Sequence, residues 1–116
     1  MFLFCTLRSL KFAGRPDVKV EEKQITVGIG ESVTMECRVT ASSPVTKVTW
    51  YRLENGVGRA LCTDSTDNTT LRPSLSIRNV QKSDMGKFVC DVTNIAGTTR
   101  SDTIHLEIST GIYFVR

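Results

Sequence analysis

The sequence predicts an all-β fold, a sandwich of two packed antiparallel sheets. Two distant cysteines, Cys37 and Cys90, bracket the single tryptophan of the chain, Trp50. Between them, short runs alternate apolar and polar residues, which is typical of strands with one buried face. A chain of 116 residues can bury one core of ordinary size. We therefore expect one domain.

The first strand of the predicted core follows Gly30. Its apolar residues recur at period two and therefore share one face; they are Val33, Met35, Cys37 and Val39. Gly28 and Gly30 precede it and are interpreted as turn residues, because glycine tolerates positive φ.

Further motifs follow in order along the chain. They are Val48 with Trp50, Leu75-Ser76-Ile77 followed by Val80, the run Asp-Met-Gly-Lys-Phe-Val-Cys at 84–90, and Asn-Ile-Ala-Gly at 94–97. Together with the segment 30–37, these motifs resemble an immunoglobulin domain of the intermediate, or I-set, type. The resemblance covers residues 16–109 and leaves 1–15 and 110–116 as tails.

The resemblance implies a fold and a set of structural residues. Segments 33–39, 48–50, 75–77 and 86–90 match strands B, C, E and F of the family, and 94–97 matches the turn between F and G. The core would contain Trp50, Leu75, Ile77 and Phe88, and a disulfide would join Cys37 to Cys90. Closing that loop would stabilise the fold by roughly 3 to 5 kcal/mol.

Phe88 departs from the family pattern, because tyrosine is usual at this position. Phenylalanine can still fill the core, but it has no phenolic oxygen with which to hydrogen-bond the backbone at the corner between E and F. We expect a loss of local order there and no change of fold.

Two cysteines remain unassigned. Cys5 lies in the first tail, and Cys62 follows strand C, near a sheet edge. Cys62 is either a spare, partly covered thiol or one that pairs with another molecule; no neighbouring base or metal partner favours the second interpretation. None of the four cysteines has a close partner at zinc-ligand spacing.

The excess of positive charge lies in the tails. The whole chain has a formal charge of +3, but between Pro16 and Ser109 eleven basic residues face twelve acidic ones. With this balance of charges, the sequence shows no basic stripe of the kind that nucleic-acid binding requires. No run approaches the roughly 20 apolar residues of a membrane helix. We expect no nucleic-acid partner and no direct membrane contact.

The first tail begins with an apolar run, but it lacks a basic start and is interrupted by Arg8 and Lys11. We therefore expect no functional signal peptide in this chain. One hypothesis is that residues 1–13 and 112–116 are translated intron on either side of one exon, since the codons at both junctions can be written as splice sites. The alternative is that both tails are native and disordered.

Asn68-Thr69-Thr70 is an N-glycosylation sequon in a polar stretch, 64–70, which predicts a surface loop or short strand. Such triplets arise often by chance. The site has meaning only if the protein passes through the secretory pathway, which the implied disulfide favours.

Nothing in the sequence indicates catalysis. The single histidine, His105, alternates with Ile104, Leu106 and Ile108 and is therefore predicted to face outward on a strand. No nucleophile elbow, phosphate-binding loop or carboxylate pair is evident. We expect no enzyme activity, no cofactor and no metal.

The remaining possibility is that the domain recognises another molecule through its surface. In sandwiches of this family, partners dock on the face of strands G, F and C, on an exposed edge or on end loops. The outward candidates are Thr49, Tyr51, Lys87, Val89 and Asp91. Tyr51 and Val89 are the expected anchors, because exposed aromatic and apolar groups carry most interface energy. Scattered apolar surface residues are nevertheless common and often inert.

We therefore predict a non-catalytic recognition or spacer module of a larger extracellular adhesion, receptor or matrix protein. Its partners would be proteins, homophilic or heterophilic, and neighbouring immunoglobulin-like domains. One alternative is a structural module of a cytoplasmic sarcomeric or cytoskeletal giant protein, with reduced cysteines. Another is an ectodomain module of a receptor kinase, since the fold alone does not decide function.

Overall fold

The computed structural model describes residues 14–109, which form ten strands and one short 3₁₀ turn, Lys82–Asp84. The strands are β1 (Asp17–Val20), β2 (Gln24–Gly28), β3 (Val33–Thr40), β4 (Lys47–Glu54), β5 (Val57–Ser65), β6 (Thr70–Leu71), β7 (Ser74–Ile77), β8 (Gly86–Asn94), β9 (Gly97–Arg100) and β10 (Ile104–Ser109). They make two sheets, as the sequence predicts. The expectations for residues 1–13 and 110–116 lie outside the described residues.

β3 is the central strand of a four-stranded sheet. β1 pairs with it antiparallel, with Asp17 opposite Thr40, while β6 and β7 pair antiparallel with successive segments of it. The alternation predicted for β3 is confirmed, because its period-two apolar residues are all buried and their neighbours are not.

The second sheet has six strands, in the order β2, β10, β8, β4 and β5, with β9 also paired to β8. Its pairs are antiparallel except one: β2 runs parallel to β10, with Ile25 opposite Leu106. The chain passes from β1 in one sheet to β2 in the other, which places β2 beside the last strand. The predicted sandwich of two antiparallel sheets is confirmed, with one parallel pair at this edge.

The inner faces of the two sheets enclose one core. Trp50 and Phe88 are each 2% exposed, while Leu75 and Ile77 are half-buried and pack against the same cluster. Other members are Val33, Met35, Val39, Val45, Val48, Val80, Val92, Ile104 and Leu106. Burial of these apolar side chains is the main stabilising contribution to the fold.

The corner before β8 is held by Arg52 of β4. One guanidinium nitrogen, Nη2, donates to the carbonyl oxygens of Ser83, at 2.7 Å, and Met85, at 2.8 Å. The guanidinium also lies 5.7 Å from the ring centroid of Phe88. The expected loss of order at this corner stays a prediction, and an arginine supplies hydrogen bonds there that the phenylalanine cannot.

In the part of the chain that the structure describes, no helix is long and apolar enough to cross a membrane.

Candidate functional site

The outer face of the six-stranded sheet, which is turned away from the core, carries the predicted contact residues. The register sets them side by side on β4 and β8: Thr49, Tyr51, Lys87, Val89 and Asp91. Trp50 and Cys90 lie opposite each other and fill the inner face, so strand alternation turns the five outward. The structure brings them together on one surface.

An ion pair organises the centre of this face. Arg100 of β9 lies opposite Asp91, and its Nε and Nη2 donate to the two carboxylate oxygens at 2.7 and 3.1 Å. The same guanidinium lies 5.3 Å from the ring centroid of Tyr51, a cation–π distance. The hydrogen bond that Arg100 donates to Asp91 is the main reason that the pKa of Arg100 is raised.

The ring of Tyr51 is supported from the neighbouring strand. It packs over Gly58 of β5, where a Cβ atom would lie only 3.1 Å from the ring. Tyr51 is therefore held between the backbone of β5 and the guanidinium of Arg100. We call the residues Tyr51, Lys87, Asp91 and Arg100 the tyrosine–arginine patch.

Two of the predicted contact residues are not accessible. Val89 is 1% exposed and Thr49 is 5% exposed, so the prediction of Val89 as an exposed anchor is wrong. Val89 lies directly opposite Tyr51, and the hydroxyl of Thr49 is 3.1 Å from that of Thr63 on β5. Neighbouring side chains cover both, which makes them the floor of the patch.

Arg100 is the residue that the sequence analysis missed. It lies where β9 ends, between the predicted turn at 94–97 and the alternating run that begins at Thr103. Alternation counted from that turn would have placed it outward, beside Asp91. Lys87 and His105 face each other on β8 and β10, both exposed, and give the patch a basic flank.

The sequon residue Asn68 is exposed in the loop between β5 and β6. Its side-chain nitrogen, the atom that would carry a glycan, donates to the Thr66 hydroxyl at 3.1 Å. The backbone carbonyl oxygen of Asn68 accepts the backbone N–H of Val45 at 2.8 Å, which fixes the loop. The side chain is therefore placed at the surface on an ordered backbone.

Cys37 and Cys90 lie on β3 and β8, one in each sheet, and both are fully buried. The interaction between their side chains is the main cause that raises the pKa of Cys90, and burial raises it further, whereas the same interaction lowers the pKa of Cys37. The two residues for which the resemblance implies a disulfide are therefore neighbours. Cys62 is exposed on β5, opposite Trp50.

Within residues 14–109, no three histidine, cysteine, aspartate or glutamate side chains are grouped so that they could hold a metal ion.

Comparison with known proteins adds to this geometry. The sequence profile described as "Immunoglobulin domain" matches residues 15–94. A mouse protein named peroxidasin homolog is 36% identical over 100 residues, which is 86% of this chain and 6% of that protein. Protein sax-3 of Caenorhabditis elegans is 35% identical over 94 residues, which is 81% of this chain and 7% of that protein.

A third similar protein is the mouse basement membrane-specific heparan sulfate proteoglycan core protein, 30% identical over 81% of this chain and 2% of its own length. The chain thus spans a small part of these relatives. Among solved structures, one chain from a study of T cell specificity and activation by toxic shock syndrome toxin-1 superposes with a TM-score of 0.68. It is 17% identical, and the match covers 83% of this chain and all of that one.

Proposed function

This chain belongs to the immunoglobulin superfamily, and from that premise we propose that it is a non-catalytic protein-recognition module of a larger extracellular protein. We further propose that it binds its protein partner through the tyrosine–arginine patch. The observation that carries this proposal is the ordered contact of Arg100 with both Asp91 and Tyr51 on an uncovered sheet face.

The chemistry of the patch suits protein recognition. Tyrosine and arginine are enriched among the residues that dominate interface energy. Here both side chains are already held in place, by a bidentate ion pair on one side and by Gly58 on the other. Because little side-chain entropy remains to be lost on binding, such a patch gains affinity from preorganisation.

We propose that neighbouring domains adjoin the two ends of the sandwich, and the positions of Gly14 and Ser109 are compatible with this arrangement. Gly14 is bound to Asn94, at the turn where β8 ends, whereas Ser109 accepts the N–H of Ile29, beside the beginning of β3. These points lie at opposite ends of the sandwich. Neighbouring domains would then join in line and leave the sheet faces free.

We assign the protein to the extracellular space because a basement membrane proteoglycan is among its relatives and because Cys37 and Cys90 are buried neighbours. In that compartment the two would form a disulfide, and Asn68 would carry a glycan. Mass spectrometry of the protein isolated from its native source tests both. Persistent thiols and an unmodified Asn68 would favour the cytoplasmic alternative.

The recognition proposal is tested by a binding screen with matched variants. The domain is displayed as a multimer and applied to an array of extracellular protein domains that includes the domain itself, so that homophilic and heterophilic binding are both measured. We expect at least one partner whose binding is lost when Tyr51→Ala is introduced, since this removes the aromatic surface.

The control is Arg78→Ala, because Arg78 is exposed and lies outside the patch. Binding should survive this change. If every partner found bound the two variants equally well, the patch would not be the recognition surface.

A further inference from the structure

A groove opens at the edge of the sandwich where β5 faces the other sheet. Its cavity measures about 120 Å³, and its apolar surface comes from Val48, Trp50, Leu71 and Pro73. One rim carries Asp64 of β5, and the other carries Arg72. A cavity of this size is far below the roughly 300 Å³ minimum of a small-molecule site, but it can take one side chain.

The strand beside the groove has a free edge. β5 ends the order of the six-stranded sheet, and within residues 14–109 no strand pairs with its outer side. Eight of its nine residues are exposed. A strand edge with unpaired N–H and C=O groups is a template for another extended chain. Such a chain would direct alternate side chains towards the groove.

Of the two charged residues on the rims, Arg72 is neutralised by ion pairs and Asp64, within residues 14–109, is not. Arg72 forms ion pairs with Glu21, at 3.3 Å, and with Glu36, at 4.0 Å. The Asp64 carboxylate has no ion pair within the described residues. The rim on β5 therefore presents one uncompensated negative charge beside an apolar cavity. If β5 paired with β5 of a second copy at the position of Asp64, the two Asp64 carboxylates would lie close together. Their repulsion disfavours a second copy as the occupant.

We propose that this groove binds an extended segment of a partner protein by strand addition to β5. An aliphatic side chain of that segment fills the cavity over Trp50, and a lysine or arginine two residues away pairs with Asp64. Main-chain hydrogen bonds to β5 supply affinity, while the cavity and the carboxylate select the sequence. The groove is separate from the tyrosine–arginine patch. If the proposal of strand addition failed, the proposal for the patch would be unaffected.

The probe is a short threonine-rich peptide with one leucine and, two positions later, one lysine. Added to the isotope-labelled domain, it should shift the amide resonances of β5 and the indole resonance of Trp50, with a Kd of about 1 mM or tighter. Cys62 lies two residues before Asp64 on the same face and is exposed, so its alkylation should slow in proportion to the bound fraction. Absence of shifts, or shifts confined to another edge, would overturn the proposal.

Charge reversal tests the selectivity. Asp64→Lys should weaken binding of the lysine peptide by about three- to tenfold, and a peptide with glutamate at that position should recover it. Asp67→Lys is the matched control, because Asp67 is also an exposed aspartate but lies in the loop beyond β5. Equal effects of the two variants, or no recovery with the glutamate peptide, would contradict a specific role for Asp64.

Discussion

Arg52 holds the corner before β8 with a single guanidinium group. It donates to the carbonyl oxygens of Ser83 and Met85 and lies over the ring of Phe88, with its side chain 20% exposed. Since hydrogen bonds from a charged donor are stronger than neutral ones, this contact contributes more than an ordinary surface arginine.

Replacing Arg52 by methionine should destabilise the domain by about 2 kcal/mol, because two carbonyl oxygens lose a charged donor. Urea unfolding measures the difference. Arg78→Met is the control, since Arg78 is exposed and makes no hydrogen bond or ion pair within residues 14–109. Equal stability of the two variants would show that the corner does not depend on Arg52.

Glu21 is the centre of a surface charge cluster that joins three strands or their ends. Arg38 donates to both carboxylate oxygens, at 3.0 and 3.1 Å, and Arg72 donates at 3.3 Å. The hydrogen bonds from Arg38 are the main reason that the pKa of Glu21 lies below its ordinary value of 4.5. A lowered pKa in the folded state means that the folded state binds this proton less readily than the unfolded chain.

The stabilisation from Glu21 should therefore be complete above pH 4.5 and should be lost as the pH falls through the lowered pKa. Glu21→Gln should flatten the acid limb of a plot of unfolding free energy against pH. Glu22→Gln, at the neighbouring exposed position, is the matched control. An unaltered slope in Glu21→Gln would contradict this account.

The element that fixes the end of the sandwich near Gly14 is the turn between β8 and β9. Asn94, 4% exposed, donates to the carbonyl oxygens of Gly14, at 3.0 Å, and Ser43, at 3.4 Å, and accepts the N–H of Ala96 at 2.9 Å. One side chain thus joins this turn to the segment before β1 and to the loop after β3.

Asn94→Ala should destabilise the domain by about 1 to 3 kcal/mol, because buried hydrogen-bonding groups lose their partner. It should also speed amide exchange at the beginning of β1, which would no longer be tied to the turn. Urea unfolding and hydrogen exchange measure the two effects. Asn68→Ala, at an exposed asparagine, should change neither; if both variants behaved alike, Asn94 would not be the joining residue.

The strands could be predicted where one face is fully buried. β3 is the clear case, because its period-two apolar residues follow from the sequence and all are buried. β5 is the opposite case: it is exposed along nearly its whole length, so its sequence carries no alternation of burial. The parallel pairing of β2 depends on the crossing between sheets, which the local pattern of residues 24–28 does not encode.

At the site, alternation predicted which residues face outward but not which are accessible. Val89 faces outward yet is covered, because burial there depends on how the side chains of the neighbouring strands lie across the face. The role of Arg52 escaped prediction for a similar reason, since a long side chain reaches groups about thirty residues away in sequence. Cross-strand side-chain contacts require the register, and the sequence alone does not supply it.

On the scale of the whole domain, the proposed binding surface lies apart from the two ends of the sandwich. The points where the described chain begins and ends lie at the two ends of the sandwich, whereas the ordered tyrosine–arginine patch lies on a sheet face between them. Our central claim is that a protein partner binds this face. A variant that removes Arg100 alone also breaks an ion pair. A loss of affinity in that variant could therefore come from lower stability as well as from lost contacts with the partner.

The most direct measurement is the affinity of a partner for a domain in which the pair is exchanged, Asp91→Arg with Arg100→Asp. A surface ion pair contributes about 1 kcal/mol or less, and the exchange retains opposite charges on adjacent strands, so stability should stay near that of the wild type. Binding should be lost, because the exchange moves the cation from β9 to β8 and reverses the order of the two charges that a partner meets across the patch. Wild-type affinity in a stably folded exchanged variant would contradict recognition through the patch.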